Sequence, residues 1–229
     1  MKKLLLFLSL LLLGVEFSAA QNGNALEKGE WRKALDKCFE NYTEKDNYGV
    51  YKGELEEYSV YKSEGDGTYR TGSGMYKWND GSIYIGGWSG WQREGVGITI
   101  MPEGYVFSNS GNAVFYVGEY YYSRSGLGLY YDRYGNVLYA GDFKDDYPTE
   151  KYPMSGFDNY KFECKEYSGG NYFVGMTKEG KPDGLGFYVW SNGNLWFGEW
   201  ENGERNGYGI HMSYEGKITT GEWKDGKKQ

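Results

Sequence analysis

The sequence predicts an all-β fold: an elongated, single-layer antiparallel sheet of about six stacked β-hairpins behind a short N-terminal helix. Three observations lead to it. Glycine returns on a period of 23 residues with the same neighbours, so that Gly184-Leu185-Gly186, Gly193 and Trp196-Phe197-Gly198-Glu199-Trp200 are followed by Gly207-Tyr208-Gly209, Gly216 and Thr219-Thr220-Gly221-Glu222-Trp223. Within each period apolar residues alternate, as in Leu185, Phe187 and Val189 or Tyr208, Ile210 and Met212, the spacing of a strand with one apolar face. Between such runs stand Asp80-Gly81 and Asn192-Gly193, pairs suited to type I′ turns because both central residues there need positive φ. A fixed period of this length means small units stacked in a row, which places function on an extended repeated surface ahead of a catalytic pocket.

Residues 1–20 read as a leader. Lys2-Lys3, the apolar run Leu4 to Leu13 and Ser18-Ala19-Ala20 fit a secretory signal peptide cut after Ala20, and the run is too short to cross a bilayer core of about 30 Å as a helix. The mature protein is expected to be exported, to the periplasm, the cell surface or beyond. In residues 21–47, Leu26, Trp31, Ala34, Leu35 and Cys38 recur at helical spacing, which predicts a short amphipathic helix able to cap the first hairpin.

From 48 to 229 the hairpins centre on Gly81, Gly104, Gly135, Gly170, Gly193 and Gly216. Insertions near 106–114 and 145–160 break the period and are expected to project as loops that supply specificity. The unit at Gly170 has Lys161 and Glu163 where first-strand glycines belong. Between Tyr51 and Gly72 two registers compete, because Gly65-Asp66-Gly67 offers a second Gly-x-Gly.

A formal charge of −7 without a basic block makes nucleic acid a poor partner, since that affinity rests on neutralising phosphates. The single histidine, His211, fills a slot held elsewhere by Tyr76, Thr99, Tyr130 and Tyr188, a surface variant of the repeat. One His and two distant Cys are too little for a metal site or a Ser/His or Cys/His nucleophile system, and no cofactor motif is present. Acids recur after the second-strand glycine as Glu54, Glu119, Asp142, Glu199 and Glu222; a row of carboxylates suits a solvated face or contacts to turn backbone better than acid–base catalysis, which needs one pair with split pKa values. Export permits a disulfide between Cys38 and Cys164, and spacing leaves open whether they pair or stay as separate buried thiols.

The 8 Trp and 25 Tyr exceed what a core of this size needs. Trp196, Gly198 and Trp200 share one strand face, as do Tyr139, Gly141 and Phe143. A glycine between two aromatics leaves bare backbone for a ring from a neighbouring strand, a socket. Either the rings are mortar between hairpins, or some line a groove that stacks on a ligand. The candidates for such a groove are Tyr84, Trp88, Tyr116, Tyr139, Phe143, Phe173, Trp196, Trp200 and Trp223.

The series Gly198-Glu199-Trp200-Glu201-Asn202-Gly203-Glu204-Arg205-Asn206-Gly207-Tyr208-Gly209, with Gly221-Glu222-Trp223-Lys224-Asp225-Gly226, resembles the membrane occupation and recognition nexus (MORN) repeat. The likeness extends from about Tyr48 to Lys227 and is weaker at Gly87, where the acid is missing. It implies a twisted sheet of hairpins with a groove along one side, serving as a scaffold for protein partners or for dimerisation; lipid binding is also proposed for the family. The expected function is a non-enzymatic exported scaffold that binds a protein through the aromatic and glycine groove, with a carbohydrate, cell-wall or lipid-binding module as the alternative. Both sheet faces are apolar, so strong twist or a homodimer must cover one.

Overall fold

A computed structural model describes residue 26 and residues 29–59, 66–102, 104–106, 113–153 and 159–229. The leader expected at 1–20 lies outside the described residues. Helix α1 (Glu30–Cys38) precedes β1 (Glu44–Lys45), β2 (Gly49–Ser59), β3 (Asp66–Trp78), β4 (Ile83–Ser89), β5 (Gln92–Ile100), β6 (Phe115–Tyr131), β7 (Val137–Lys144) and β8 (Tyr147–Lys151), an antiparallel sheet in chain order. A second antiparallel sheet, also in chain order, holds β9 (Tyr160–Tyr167), β10 (Asn171–Lys178), β11 (Lys181–Val189), β12 (Leu195–Glu201), β13 (Glu204–Met212), β14 (Ile218–Lys224) and β15 (Lys227–Lys228).

The all-β expectation holds, but the single layer does not: the meander breaks between β8 and β9 and the two sheets share a core. Glycine pairing explains where. Across the first sheet glycines oppose glycines, Gly53 with Gly74, Gly74 with Gly86, Gly86 with Gly97 and Gly97 with Gly118. At the break Gly141 faces Lys151 and Gly175 faces Glu163, so the sockets run out on both sides. Inward residues of both sheets, among them Ile85, Ile98, Val117 and Leu129 from the first and Phe162, Val174, Phe187 and Phe197 from the second, form one buried cluster. The apolar face that called for twist or a homodimer is thus covered within the chain.

Helix α1 enters this core with Trp31, whose ring lies 5.8 Å from Phe115 of the first sheet and 6.1 Å from Phe187 of the second. Lys52 on β2 is fully buried and donates to the carbonyls of Cys38 at 3.1 Å and Tyr214 at 3.0 Å, tying the helix end and both sheets together. Its pKa is lowered, chiefly by burial, and two carbonyl acceptors compensate the buried ammonium.

The tight turns differ from the sequence reading. Gly81 and Gly193 are left-handed, with φ 86° and 88°, yet Asp80 and Asn192 are not; the amides of Gly81 and Gly193 reach back to Trp78 and Trp190, in turns spanning Trp78–Ser82 and Trp190–Asn194. Paired positive φ occurs at the opposite strand ends, at Gly90-Trp91, Asp145-Asp146, Glu179-Gly180, Asn202-Gly203 and Asp225-Gly226, and between β9 and β10 at Gly169-Gly170. Three of these two-residue turns, Gly90-Trp91, Glu179-Gly180 and Asn202-Gly203, join a strand to the following Gly-x-Gly strand or its equivalent.

The competing register resolves in favour of Gly72-Ser73-Gly74: Gly53 pairs Gly74, and β2 and β3 continue past a bulge to Ser59 opposite Asp66. The run β6 doubles back near Tyr122, at φ 68°, for its first half pairs β5 and its second half pairs β7. Of the first insertion, residues 107–112 lie outside the described residues; the second does not simply project. At the borders of the first, Met101 and Ala113 are buried against the outer aromatic face, and Tyr105 stacks on Tyr130 at 6.5 Å. The second supplies β8, which pairs with β7.

Candidate functional site

Each sheet turns a second layer of rings outward, and the predicted groove residues belong to these layers. Tyr84, Trp88, Tyr116, Tyr139 and Phe143 cluster on the first sheet with Tyr51, Tyr76, Tyr120 and Tyr130; Phe173, Trp196 and Trp200 cluster on the second, with Trp223 partly buried beside them. Apart from Trp223 they are all buried, Trp200 and Tyr139 being the most open at 8 %. The sockets are real and filled: the Tyr84 ring lies over Gly86 and Gly97, Tyr116 over Gly118 and Gly128, and Trp196 over Gly198 and Gly209. The rings are therefore mortar, and among the described residues the outer layers close over them except at a hollow of about 230 Å³ bordered by Trp88 with Tyr76, Trp78, Trp91, Arg70 and Arg93. Edge-to-face pairs such as Trp196 with Trp200 at 5.1 Å and Tyr116 with Phe143 at 5.4 Å knit the layers.

Sequence reasoning missed four arginines that close these layers. Arg70 lies over Tyr76 at 4.4 Å, Arg93 over Tyr120 at 4.9 Å, Arg124 over Tyr130 at 5.5 Å and Arg205 over Trp223 at 4.5 Å. Each stands two residues before the first glycine of a Gly-x-Gly pair, at 72, 95, 126 and 207, with Pro182 in that place before Gly184. That recurrence was visible in the sequence. A guanidinium over a ring is attracted by the ring quadrupole, by about 0.5–2 kcal/mol according to exposure, and its stem covers apolar surface. Arg70 and Arg124 are also ion-paired, to Asp46 at 2.6 Å and Asp146 at 2.6 Å.

Two of the recurrent acids accept backbone amides and a third a side-chain hydroxyl. Glu54 accepts the amide of Ser73 at 2.7 Å and Glu119 that of Leu127 at 3.2 Å, each amide following the first glycine of the next strand; Asp142 accepts the hydroxyl of Tyr152 at 2.7 Å. Burial raises the Glu119 pKa. His211 is half-buried at 5.7 Å from Trp190, and burial followed by the charge of Arg205 lowers its pKa, which favours neutral imidazole. Cys38 and Cys164 are free, buried thiols rather than a disulfide. Both belong to the inter-sheet core, on α1 and β9, where burial pushes each pKa up to about 12.

A larger open space lies between the sheets. At the end of the sandwich held by the turns Trp78–Ser82 and Trp190–Asn194, α1 is tied to both sheets by Lys77 to Asp36 at 2.6 Å and Lys37 to the Ser191 carbonyl at 2.9 Å. Beyond the core that α1 helps fill, the inner faces bound a cleft of about 580 Å³, a size that suits a small ligand or a few residues of a chain. Val96 of the first sheet and Leu185, Phe197 and Ile210 of the second make its apolar floor; Ser73, Ser89, Glu94, Glu199 and Tyr208 bring polar groups. Of the predicted residues only Trp88 borders it. Gly87 lines it too, at the position where sister strands have Glu54, Glu119 and Glu199, so the missing acid leaves that wall without a side chain. Among the described residues the lining holds hydroxyls and carboxylates but no imidazole or thiol.

Comparison of the chain with protein-family models gives no match, and comparison with curated proteins gives none either.

Proposed function

We propose that this chain is an exported, non-enzymatic repeat module of the MORN type, capped by α1, and that it binds a protein partner by holding a segment of it in the cleft between the sheets. The observation that supports this most is the cleft itself: about 580 Å³, with an apolar floor built from both sheets and polar groups around it. The repeat of hairpins, glycine pairs and bordering arginines supports the MORN reading, and Lys2-Lys3 with Leu4–Leu13 and Ser18-Ala19-Ala20 supports export.

A photo-crosslinking amino acid placed at Ser89 or Tyr208 tests the location. In an envelope extract of the host, both positions should give the same discrete protein adduct, while exposed Tyr48, which is outside the cleft, gives none. Equal labelling from all three positions would overturn the reading.

A carbohydrate-binding reading has one observation in its favour. On the outer face of the second sheet Tyr167, Tyr188 and Trp190 form a row, with centroids 5.5 and 4.7 Å apart, and none is fully buried. Rings of this kind can stack on sugars. Saturable retention on an insoluble polysaccharide, lost in Tyr188→Ala and Trp190→Ala, would establish it; no retention removes it.

A further inference from the structure

We infer that the first sheet carries a binding site for a neutral sugar unit on its outer face, in the hollow where Trp88 meets Trp78, Trp91 and Arg93. The hollow is distinct from the inner cleft, although Trp88 borders both, and from the row Tyr167, Tyr188 and Trp190 on the second sheet. The site therefore stands or falls without either.

Two aromatic residues at this hollow hold a backbone that bulky side chains rarely adopt. Trp91 and Tyr122, both bordering it, have φ of 74° and 68°, a left-handed conformation costly for large residues. Among the described residues the other non-glycine positions with positive φ are Asp, Asn and Glu. In the turns Glu179-Gly180, Asn202-Gly203 and Asp225-Gly226 the second place is glycine, whereas in Gly90-Trp91 it carries an indole. Folding is served by glycine in the sister turns, so the strain at Trp91 is accounted for by where its ring stands. Trp91, Tyr122 and Tyr48 are 44, 54 and 73 % exposed around the hollow, three open rings beside a layer that is otherwise buried.

The polar groups set the chemistry of the occupant. Gln92 and Arg93 bring N–H donors to the walls. Asp46, the acid of the hollow, already accepts from the amides of Tyr48 and Gly49, the Tyr76 hydroxyl and Arg70. The indole N–H of Trp88 and the Nε–H of Arg70 are buried without an acceptor. Donors thus outnumber free acceptors, and an occupant with many oxygens suits the walls. Their charges balance: Arg70 and Arg93 stand against Asp46 and Glu44, the latter paired to Arg70 at 3.0 Å, which favours an uncharged occupant. The volume of about 230 Å³ is below the roughly 300–1,000 Å³ of pockets that enclose a whole drug-sized ligand, so one ring fits and its neighbours in a chain lie across the open rim. An uncharged ring with apolar faces for the aromatics and oxygens along its edge for the donors is a sugar.

The test passes the purified protein over immobilised hexasaccharides and reads binding by surface plasmon resonance. The probes are neutral hexamers of glucose, mannose, xylose and N-acetylglucosamine, with galacturonate and glucosamine hexamers as the anionic and cationic counterparts. At least one neutral hexamer should bind saturably. Trp91→Gly should weaken it at least about tenfold, the scale of removing an anchoring ring, yet leave the thermal midpoint unchanged or raised, because glycine suits the left-handed turn. Tyr48→Ala should weaken it as well, whereas Tyr188→Ala and Trp190→Ala should leave it unaltered. Full binding by Trp91→Gly, or loss in the Tyr188 and Trp190 variants alone, would put the sugar elsewhere and overturn the inference. A charged hexamer binding more tightly than every neutral one would overturn the neutral assignment, and binding of no hexamer would overturn the site. None of these results alters the adduct expected from Ser89 and Tyr208, so the cleft reading is judged separately.

Discussion

A methyl group at Gly209 would enter the Trp196 ring, which is fully buried and has nowhere to go. Gly209→Ala should therefore cost up to about 3 kcal/mol of unfolding free energy in denaturant titration, the scale of core overpacking. Gly216, with φ 91° and open space around it, needs only a left-handed backbone, and Gly216→Asn should cost no more than about 1 kcal/mol because Asn visits that region readily. Asp46 offers a pH signature. Burial alone would raise its pKa, but hydrogen bonds from Tyr76 and Arg70 and from the amides of Tyr48 and Gly49 outweigh it and hold the value at about 2, below the ordinary 3.8. A depressed carboxyl contributes stability that is complete above about 3.8 and lost as pH falls toward 2. Asp46→Asn should be less stable at neutral pH, and its unfolding midpoint should fall less steeply than wild type between pH 4 and pH 2. At this scale the glycines and their rings were legible in the sequence, because a socket and its occupant are both written into the aromatic-x-Gly pattern. Whether those rings face solvent was not, since that depends on arginines reaching across strands and on Met101, Tyr105 and Ala113 packing against them.

At the scale of elements, most strands could be read directly from period two. Their assembly into two sheets could not, because the evidence was local and negative: Lys161 and Glu163 mark a strand that cannot present sockets, yet only a second apolar face at hand makes folding back favourable. The Tyr105 segment shows the same limit. Tyr105 stands just before the insertion read at 106–114, yet it closes an aromatic layer, so Tyr105→Ala should destabilise the protein by about 1 kcal/mol through the lost stack on Tyr130, measurable by thermal unfolding. The last strands should be the weakest part of the sandwich. Strand β14 has half-buried and exposed residues throughout and is paired on its far side only at Trp223 and Lys224, whereas β11 and β12 are mostly buried. Native-state hydrogen exchange should open Ile218–Glu222 first, with protection rising toward β11; uniform protection across these strands would contradict that gradient.

For the whole molecule, the two buried thiols and α1 are the informative probes. Neither Cys38 nor Cys164 should react with an aromatic disulfide reagent at pH 8 in the native state, because burial keeps both protonated and out of reach; both should react on unfolding, and reductant should leave the thermal midpoint unchanged. Trp31→Ala removes the ring that touches both sheets and should cost about 3–5 kcal/mol. One structural feature reaches into time as well as space. The helix that carries Trp31 leaves the ribosome before any strand, while its partner Phe187 and the Tyr214 carbonyl that receives the Lys52 ammonium are among the later parts to emerge. The hairpins can form one after another as they are made, but α1 finds its seat only when the strands of the second sheet arrive. Until then Lys52 and the inner face of the first sheet stay wet, which makes closure of the sandwich a late event in making this fold and the step at which an unfinished chain is most exposed to aggregation.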